Sequence, residues 1–218
     1  MSNNASNQIK SLISLNDFFI LSKARLSLSV VFSSLSGYFL APTIIDFQEI
    51  IFLSIGGFFL AGSSNAFNQI IEKDYDKKMQ RTKNRPIPTG RMSVTYALFV
   101  SVFMLILGLI SLYVLNPITA MFGAISVFIY TCVYTPLKSI TPLSVFLGAI
   151  PGAIPFMLGW VSATNDFSIE PGILFMIQFF WQFPHFWAIA WMTNDDYSSA
   201  GLNSVSYTHL TLPTRIFV

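Results

Sequence analysis

Long apolar runs alternate with short polar segments along most of this chain. Six of the runs are continuous, and each is about 20 residues long, the length that an α-helix needs to cross the hydrocarbon core of a bilayer. Strands of a membrane β-barrel would instead show alternating apolar and polar positions. The pattern therefore predicts an all-α, polytopic bundle of transmembrane helices, with spans at residues 21–41, 50–71, 93–115, 118–136, 142–163 and 172–193.

The composition indicates the same class of protein. The mean hydropathy is +0.62, and only 10% of the residues are charged, values that lie outside the range of soluble globular domains. The single cysteine, Cys132, excludes an internal disulfide, and its place within a span predicts a buried packing role. We expect a lipid bilayer as the environment and no nucleic acid as a partner.

Basic residues lie in alternate loops, and this orients the spans. The N-terminal segment and the loops after the second and fourth spans carry eleven Lys and Arg residues, whereas the intervening short loops carry none. Because basic loops stay in the cytoplasm, the N-terminus, these two loops and residues 194–204 are predicted to be cytoplasmic. The eleven residues are Lys10, Lys23, Arg25, Lys73, Lys77, Lys78, Arg81, Lys83, Arg85, Arg91 and Lys138.

The polar stretch at residues 68–86 is the strongest candidate for chemistry. It holds three of the ten acidic residues and six of the twelve basic residues. Asn68, Glu72 and Asp76 recur every four residues, so a helix would place them on one face. Oxygen ligands beside many cations suit a divalent ion that carries a phosphorylated ligand. The alternative is a solvated helix end with scattered ion pairs.

Polar residues near other spans can join this site. Asp195 and Asp196 follow the sixth span and are predicted on the same side as Glu72 and Asp76, where they can converge on one cation. Arg25 and Lys138 lie at the cytoplasmic ends of the first and fourth spans. Either can bind a phosphate or act as a snorkelling anchor. Tyr134, one helical turn before Lys138, can donate to a phosphate or belong to an interfacial aromatic belt.

The fifth and sixth spans carry two further patterns. Small residues repeat in residues 148–159, which predicts close helix packing and leaves open a thin wall against a flat ligand. Gln178, Gln182 and His185 form a polar stripe on the sixth span. His185 can ligate a haem iron or orient a polar substrate edge, or it can be a packing residue.

Several motifs together resemble the UbiA superfamily of intramembrane prenyltransferases, and in particular its haem-farnesylating branch. The acidic motif Asn68-xxx-Glu72-xxx-Asp76 resembles the first acidic motif of the superfamily. The haem branch is indicated by the runs at residues 78–90, 134–138, 148–160, 181–187 and 196–201. The resemblance covers about residues 21–204.

The resemblance implies an enzyme that transfers a farnesyl group from farnesyl diphosphate to a vinyl group of haem B, which yields haem O. It implies that Asn68, Glu72 and Asp76, with Asp195 and Asp196, hold Mg²⁺ on the diphosphate. The diphosphate oxygens would bind to Arg25, Arg81, Arg85, Lys138 and Tyr134. Lys138 would also be catalytic. Haem would contact His185 and Gln182. The implied location is the bacterial inner membrane, with haem A synthase or terminal-oxidase assembly factors as partners.

The chain departs from the family pattern in three places. Glu72 stands where Asp is usual, and Asp195 and Asp196 form a short pair rather than a spaced motif. The family has about nine spans, so six spans predict a C-terminally truncated domain. We expect a polar N-terminus at residues 1–20, the prenyltransferase domain at 21–205, and a non-native or frame-broken tail at 206–218.

Two other functions stay open at this point. A related prenyltransferase would act on an aromatic acid or a quinone precursor. A transporter with a cytoplasmic cation-binding loop would need polar residues along a path across the membrane, whereas here they gather at one face.

Overall fold

A computed structural model of the protein describes residues 14–141 and 143–192, and this part of the chain is built from helices joined by turns and short loops. The prediction of an all-α polytopic bundle is confirmed. In chain order the helices are α1 (Leu15–Leu21), α2 (Ala24–Leu40), α3 (Phe47–Ile71), α4 (Lys73–Asp76), α5 (Val94–Leu115), α6 (Pro117–Leu137), α7 (Leu143–Thr164) and α8 (Ile169–Met192).

Most of the predicted spans correspond to helices that can cross a membrane. Within the described residues, α3, α5, α6 and α7 are long and apolar enough to do so, and α1 with α2 adds a fifth span if the pair is counted as one. α8 covers the sixth predicted span with 24 residues but is not among these helices. The sixth span therefore stays a prediction.

Three of the long helices begin where a short polar side chain caps the first turn. Asp46 accepts a hydrogen bond from the amide of Gln48 at the start of α3, with a distance of 2.7 Å. Ser93 caps α5 in the same way. Asn116 caps α6, where Pro117 occupies the first helical position and needs no hydrogen-bond acceptor. These caps set the boundaries of the apolar runs.

The core forms where small residues let the helices approach. α3 packs mainly on α5, α2 packs on α7, and α7 packs on α8. A Cβ added to Gly159 of α7 would overlap the carbonyl of Ser34 on α2, and one added to Gly37 would overlap the carbonyl of Phe156. Close packing of the small residues in the fifth span is thus confirmed. The buried core includes Tyr38, Leu53, Leu60, Leu112, Val127, Ile154, Met157, Leu158 and Val161.

The first predicted span is bent rather than continuous. α1 and α2 meet at 57°, because Lys23 adopts a left-handed backbone conformation with φ of 44°. At the break the backbone amide of Lys23 donates to the carbonyl of Ile20 over 3.3 Å, and the side chain of Gln69 on α3 donates to the carbonyls of Ile20 and Leu21. Its Nε2 lies 3.0 Å from the oxygen of Ile20 and 2.8 Å from that of Leu21.

α6 changes its hydrogen-bond pattern before it ends. Its first part, Pro117–Phe128, is α-helical, whereas Ile129–Tyr134 forms a π-helical segment. A π segment inserts one residue into the turn, which rotates the following residues around the helix axis. Cys132 lies in this segment and is exposed, so the predicted buried packing role is wrong.

The basic loop between α4 and α5 folds back onto the bundle. Met79, Ile87 and Met92 are buried, and the last two pack with Leu21 of α1 and Ala66 of α3. These apolar anchors fix the loop against the end of the helices. The polar stretch is therefore anchored to the bundle by a few buried side chains, while many of its charged residues stay exposed.

Candidate functional site

Asn68, Glu72 and Asp76 lie at the end of α3 and in the short helix α4. Helical hydrogen bonds continue across the junction: the amide of Glu72 donates to the carbonyl of Asn68 over 3.0 Å, and that of Asp76 donates to the carbonyl of Glu72 over 2.8 Å. The spacing of four residues therefore keeps the three side chains on neighbouring turns, as predicted. Asn68 and Asp76 are buried.

The carboxylates of Glu72 and Asp76 each form an ion pair with a basic residue that was predicted to bind the diphosphate. Arg85 Nη1 lies 2.7 Å from Asp76 Oδ2, and the two side chains are 15% and 3% exposed. Lys138, just after α6, pairs with Glu72. Asp76 also anchors the loop, because the hydroxyl of Thr82 donates to its carbonyl oxygen over 3.0 Å. The structure thus brings Glu72, Asp76, Arg85 and Lys138 together.

Asn68 connects this cluster to two other helices. Its Oδ1 accepts a long hydrogen bond of 3.5 Å from Lys23 Nζ at the α1–α2 break. Its Nδ2 donates to Thr135 Oγ1 on α6 at 3.4 Å. The hydroxyl of Thr135 in turn donates to the carbonyl of Tyr130 over 2.7 Å.

Lys23 is a member of the cluster that was not among the predicted site residues. It interacts electrostatically with Arg85 and Lys138, which repel it, and with Glu72 and Asp76, which attract it. Arg25, the residue selected instead from this segment, is exposed. The left-handed turn at Lys23 separates their directions, and the segment around it lacks the Gly or Asn that usually indicates such a turn.

The donor set has the chemistry of a site for a divalent cation with an anionic ligand. Glu72, Asp76 and Asn68 offer oxygen ligands of the kind that Mg²⁺ prefers. In the described part of the chain, no three His, Cys, Asp or Glu side chains form a metal-binding group. Asp195 and Asp196, which would complete the predicted set, lie outside the described residues. A cation at the carboxylates would release Arg85 and Lys138 to bind anionic oxygens.

Two more of the predicted residues lie close to the cluster. Tyr134 precedes Lys138 by one turn, and the Lys138 ammonium lies 5.9 Å from the centre of its ring. The ring of Tyr134 also packs on the ring of Phe186 of α8 and lies against Gly148 of α7. Arg81 is exposed on the basic loop.

The polar stripe of α8 divides in the structure. Gln182 is buried, and its Nε2 donates to the carbonyl of Gly152 on α7 over 3.1 Å. His185 is exposed and stacks on Trp181 with ring centres 5.0 Å apart. Gln182 therefore contributes to the α7–α8 packing, whereas His185 presents its ring at the surface of the described bundle.

Comparison with known proteins identifies the family of this site. The UbiA prenyltransferase family matches residues 30–217 of the chain. The chain belongs to the UbiA prenyltransferase family. A UbiA homolog from Archaeoglobus fulgidus, solved with GPP and Mg²⁺ bound, shares the fold with a TM-score of 0.70 at 17% identity, over 85% of this chain and 66% of that one.

Curated relatives of this UbiA-family chain carry a more specific name. Protoheme IX farnesyltransferase of Christiangramia forsetii is 60% identical over 86% of the chain and 62% of its own length. The protein of the same name from Flavobacterium psychrophilum is 61% identical over 85% of the chain and 63% of its own length. The resemblance to the haem-farnesylating branch is thus confirmed, and the chain spans less than two thirds of these two relatives.

Proposed function

We propose that this protein transfers a farnesyl group from farnesyl diphosphate to a vinyl group of haem B and so makes haem O. The ion cluster of Asn68, Glu72, Asp76, Arg85 and Lys138 is the observation that carries the proposal. The identity with relatives named protoheme IX farnesyltransferase supports the choice of substrates. In this proposal, residues 21–205 form the prenyltransferase domain.

The orientation of the domain follows from its charges. The basic loop and Lys138 lie on the side that the positive-inside rule assigns to the cytoplasm. We therefore propose a bacterial inner-membrane protein with a cytoplasmic N-terminus, which takes its diphosphate substrate from the cytoplasmic side. The farnesyl chain would lie along the apolar helices.

The cluster supplies both charges that diphosphate binding needs. We propose that Asn68, Glu72 and Asp76, with Asp195 and Asp196, hold Mg²⁺. The metal, when bound, would neutralise negative charge on the diphosphate. Arg85 and Lys138 would exchange their carboxylate partners for diphosphate oxygens, together with Tyr134, Arg81 and Arg25 at the edge of the site.

The proposed reaction forms one C–C bond and one C–O bond on the haem, at the expense of the C1–O bond of farnesyl diphosphate, the vinyl π bond and one O–H bond of water. The C1–O bond of farnesyl diphosphate breaks, and its electron pair leaves with the diphosphate, where Arg85 and Lys138 stabilise the developing charge. The π electrons of the haem vinyl group form a bond to C1 of the farnesyl cation. Water adds to the resulting haem-bound cation and loses one proton, which gives the hydroxyethylfarnesyl group. Exclusion of water before transfer would protect the first cation.

The haem side of the site is assigned to α8. His185 is exposed and supported by Trp181, so its ring can meet a flat ligand from outside the described bundle. The Gln182 amide already donates to Gly152 and would support the wall behind the haem. For His185→Ala we expect weaker haem binding with unchanged affinity for farnesyl diphosphate. The reverse pattern would contradict a haem contact.

The acceptor specificity tests the proposal. The protein, expressed in membranes and given Mg²⁺ and farnesyl diphosphate, is offered haem B and an aromatic acid such as 4-hydroxybenzoate in parallel. We expect a product from haem B alone, detected by mass spectrometry. Transfer to the aromatic acid with haem unchanged would favour the related prenyltransferase class. Transfer to neither acceptor would contradict the proposal that the protein is a prenyltransferase.

A matched pair of carboxylates tests the site. Asp76→Asn removes a buried charge that pairs with Arg85, and we expect loss of turnover with normal insertion into the membrane. Asp74→Asn, two residues earlier, removes a 75% exposed charge that lies 3.6 Å from Lys77, and it should leave turnover unchanged. Normal activity of Asp76→Asn would refute the assignment.

A further inference from the structure

The side-chain amide of Asn68 has only one orientation that satisfies its neighbours. The hydroxyl hydrogen of Thr135 is committed to the carbonyl oxygen of Tyr130, which can only accept. Thr135 Oγ1 is therefore an acceptor toward Asn68 and must face its NH₂ group. On the other side, Lys23 Nζ donates to Asn68 Oδ1 over 3.5 Å. The two constraints agree.

The π-helical segment of α6 creates this arrangement. The carbonyl of Tyr130 receives the backbone N–H of Thr135, five residues later, as well as its hydroxyl. In a regular α-helix that carbonyl would pair four residues on, and a threonine hydroxyl would bond one turn back. The inserted residue turns buried Thr135 toward α3, where it meets Asn68.

We propose that Thr135 is a positioning residue, which fixes the Asn68 amide so that Oδ1 faces the ion cluster. The inference rests on the proposed function, in which that oxygen serves as a ligand of the divalent cation. Without the hydroxyl, the amide can rotate by half a turn and present its NH₂ group to the cluster. An NH₂ group cannot bind a cation, and it would also face Lys23 as donor against donor.

Thr131 provides a matched control on the same helix. It is buried like Thr135, and its hydroxyl donates to the carbonyl of Val127 over the same 2.7 Å. It lies one turn earlier, and no hydrogen bond links it to Asn68 within the described residues. Thr131→Val and Thr135→Val therefore remove the same kind of bond, and only the second touches the amide. Thr135→Ser keeps the hydroxyl.

The test measures Mn²⁺ bound by the purified protein in nanodiscs, by electron paramagnetic resonance, with farnesyl thiodiphosphate as an unreactive ligand. Thr135→Val should weaken Mn²⁺ binding about tenfold, a typical effect of removing a partner that orients a metal ligand. Thr135→Ser and Thr131→Val should bind as the wild type does, while thermal unfolding shifts by similar amounts for both valine variants.

The outcomes separate this inference from the proposed function. Equal Mn²⁺ affinity of Thr135→Val and wild type would overturn the positioning role, and so would an equal loss in Thr131→Val. In either case the wild type would still bind Mn²⁺ with the analogue, and the proposed function would stand. A wild-type protein that binds neither Mn²⁺ nor farnesyl thiodiphosphate would overturn both the positioning role and the proposed function.

Discussion

The Arg85–Asp76 pair should contribute far more to stability than the other ion pairs around it. Arg85→Met keeps most of the side-chain volume but leaves the Asp76 carboxylate, which is 3% exposed, without its partner at 2.7 Å. Two unit charges about 4 Å apart interact by about 4 kcal/mol at an effective dielectric constant near 20. Lys23 also attracts Asp76 and compensates part of the loss. We therefore expect destabilisation by about 3 kcal/mol, within the range for broken buried pairs.

The Arg91–Asp17 pair is the control. Its N–O distance is 3.1 Å, but the Arg91 side chain is 44% exposed, so water can replace the guanidinium. Asp17 also lies in the first turn of α1, where backbone N–H groups favour a negative charge. Arg91→Met should cost about 1 kcal/mol or less.

The assay is reversible unfolding in mixed micelles of a mild detergent and SDS, followed by circular dichroism. The double variant Asp76→Asn/Arg85→Met should regain part of the stability that Arg85→Met loses, because no buried charge is left unpaired. If Arg85→Met costs no more than Arg91→Met, the reasoning about burial is refuted.

Three further predictions concern the elements that support the site. Gly159→Ala should destabilise the protein by about 2–3 kcal/mol, because the added methyl group overlaps the carbonyl of Ser34. In Gly172→Ala the methyl group meets no atom within 4 Å, so this control should be neutral or slightly stabilising in the same unfolding assay. Gln69→Leu should cost about 1–2 kcal/mol, since the carbonyl of Leu21 loses this donor and that of Ile20 keeps only the backbone amide of Lys23. An unchanged stability would show that water replaces the amide. Lys23→Met should leave stability unchanged or raised, because the removed cost of burying a charge and the removed repulsion from Arg85 and Lys138 offset the lost attraction to the two carboxylates. It should also weaken equilibrium binding of farnesyl thiodiphosphate about tenfold, and full binding would remove Lys23 from the site.

The length of the apolar runs could predict the helices, and the distribution of charged residues could predict the end of the bundle that holds the site. Continuous apolar runs of span length leave few alternatives to transmembrane helices. The spacing of Asn68, Glu72 and Asp76 survives the junction between α3 and α4 because the helical hydrogen bonds continue there. Arg85 and Lys138 were predicted as cations for a ligand, and both meet the acidic motif.

The local irregularities could not be predicted in the same way. The left-handed Lys23 depends on Gln69, a residue on another helix that stabilises the broken turn. The π segment of α6 packs against α7, and Cys132 within it is exposed. Such features arise from tertiary contacts, so local sequence carries little signal for them. They decide which of several neighbouring polar residues faces the site, as with Lys23 and Arg25.

The mass of the haem recovered after incubation with farnesyl diphosphate labelled with ¹³C at C1 tests the central claim most directly. Membranes that contain the protein, supplied with haem B and Mg²⁺, should yield a labelled haem that is heavier by one farnesyl group and one hydroxyl group. Glu72→Gln membranes with equal amounts of inserted protein should yield unchanged haem, because the variant lacks the carboxylate that pairs with Lys138. Unlabelled haem from the wild type, with farnesyl diphosphate bound or hydrolysed, would contradict the account.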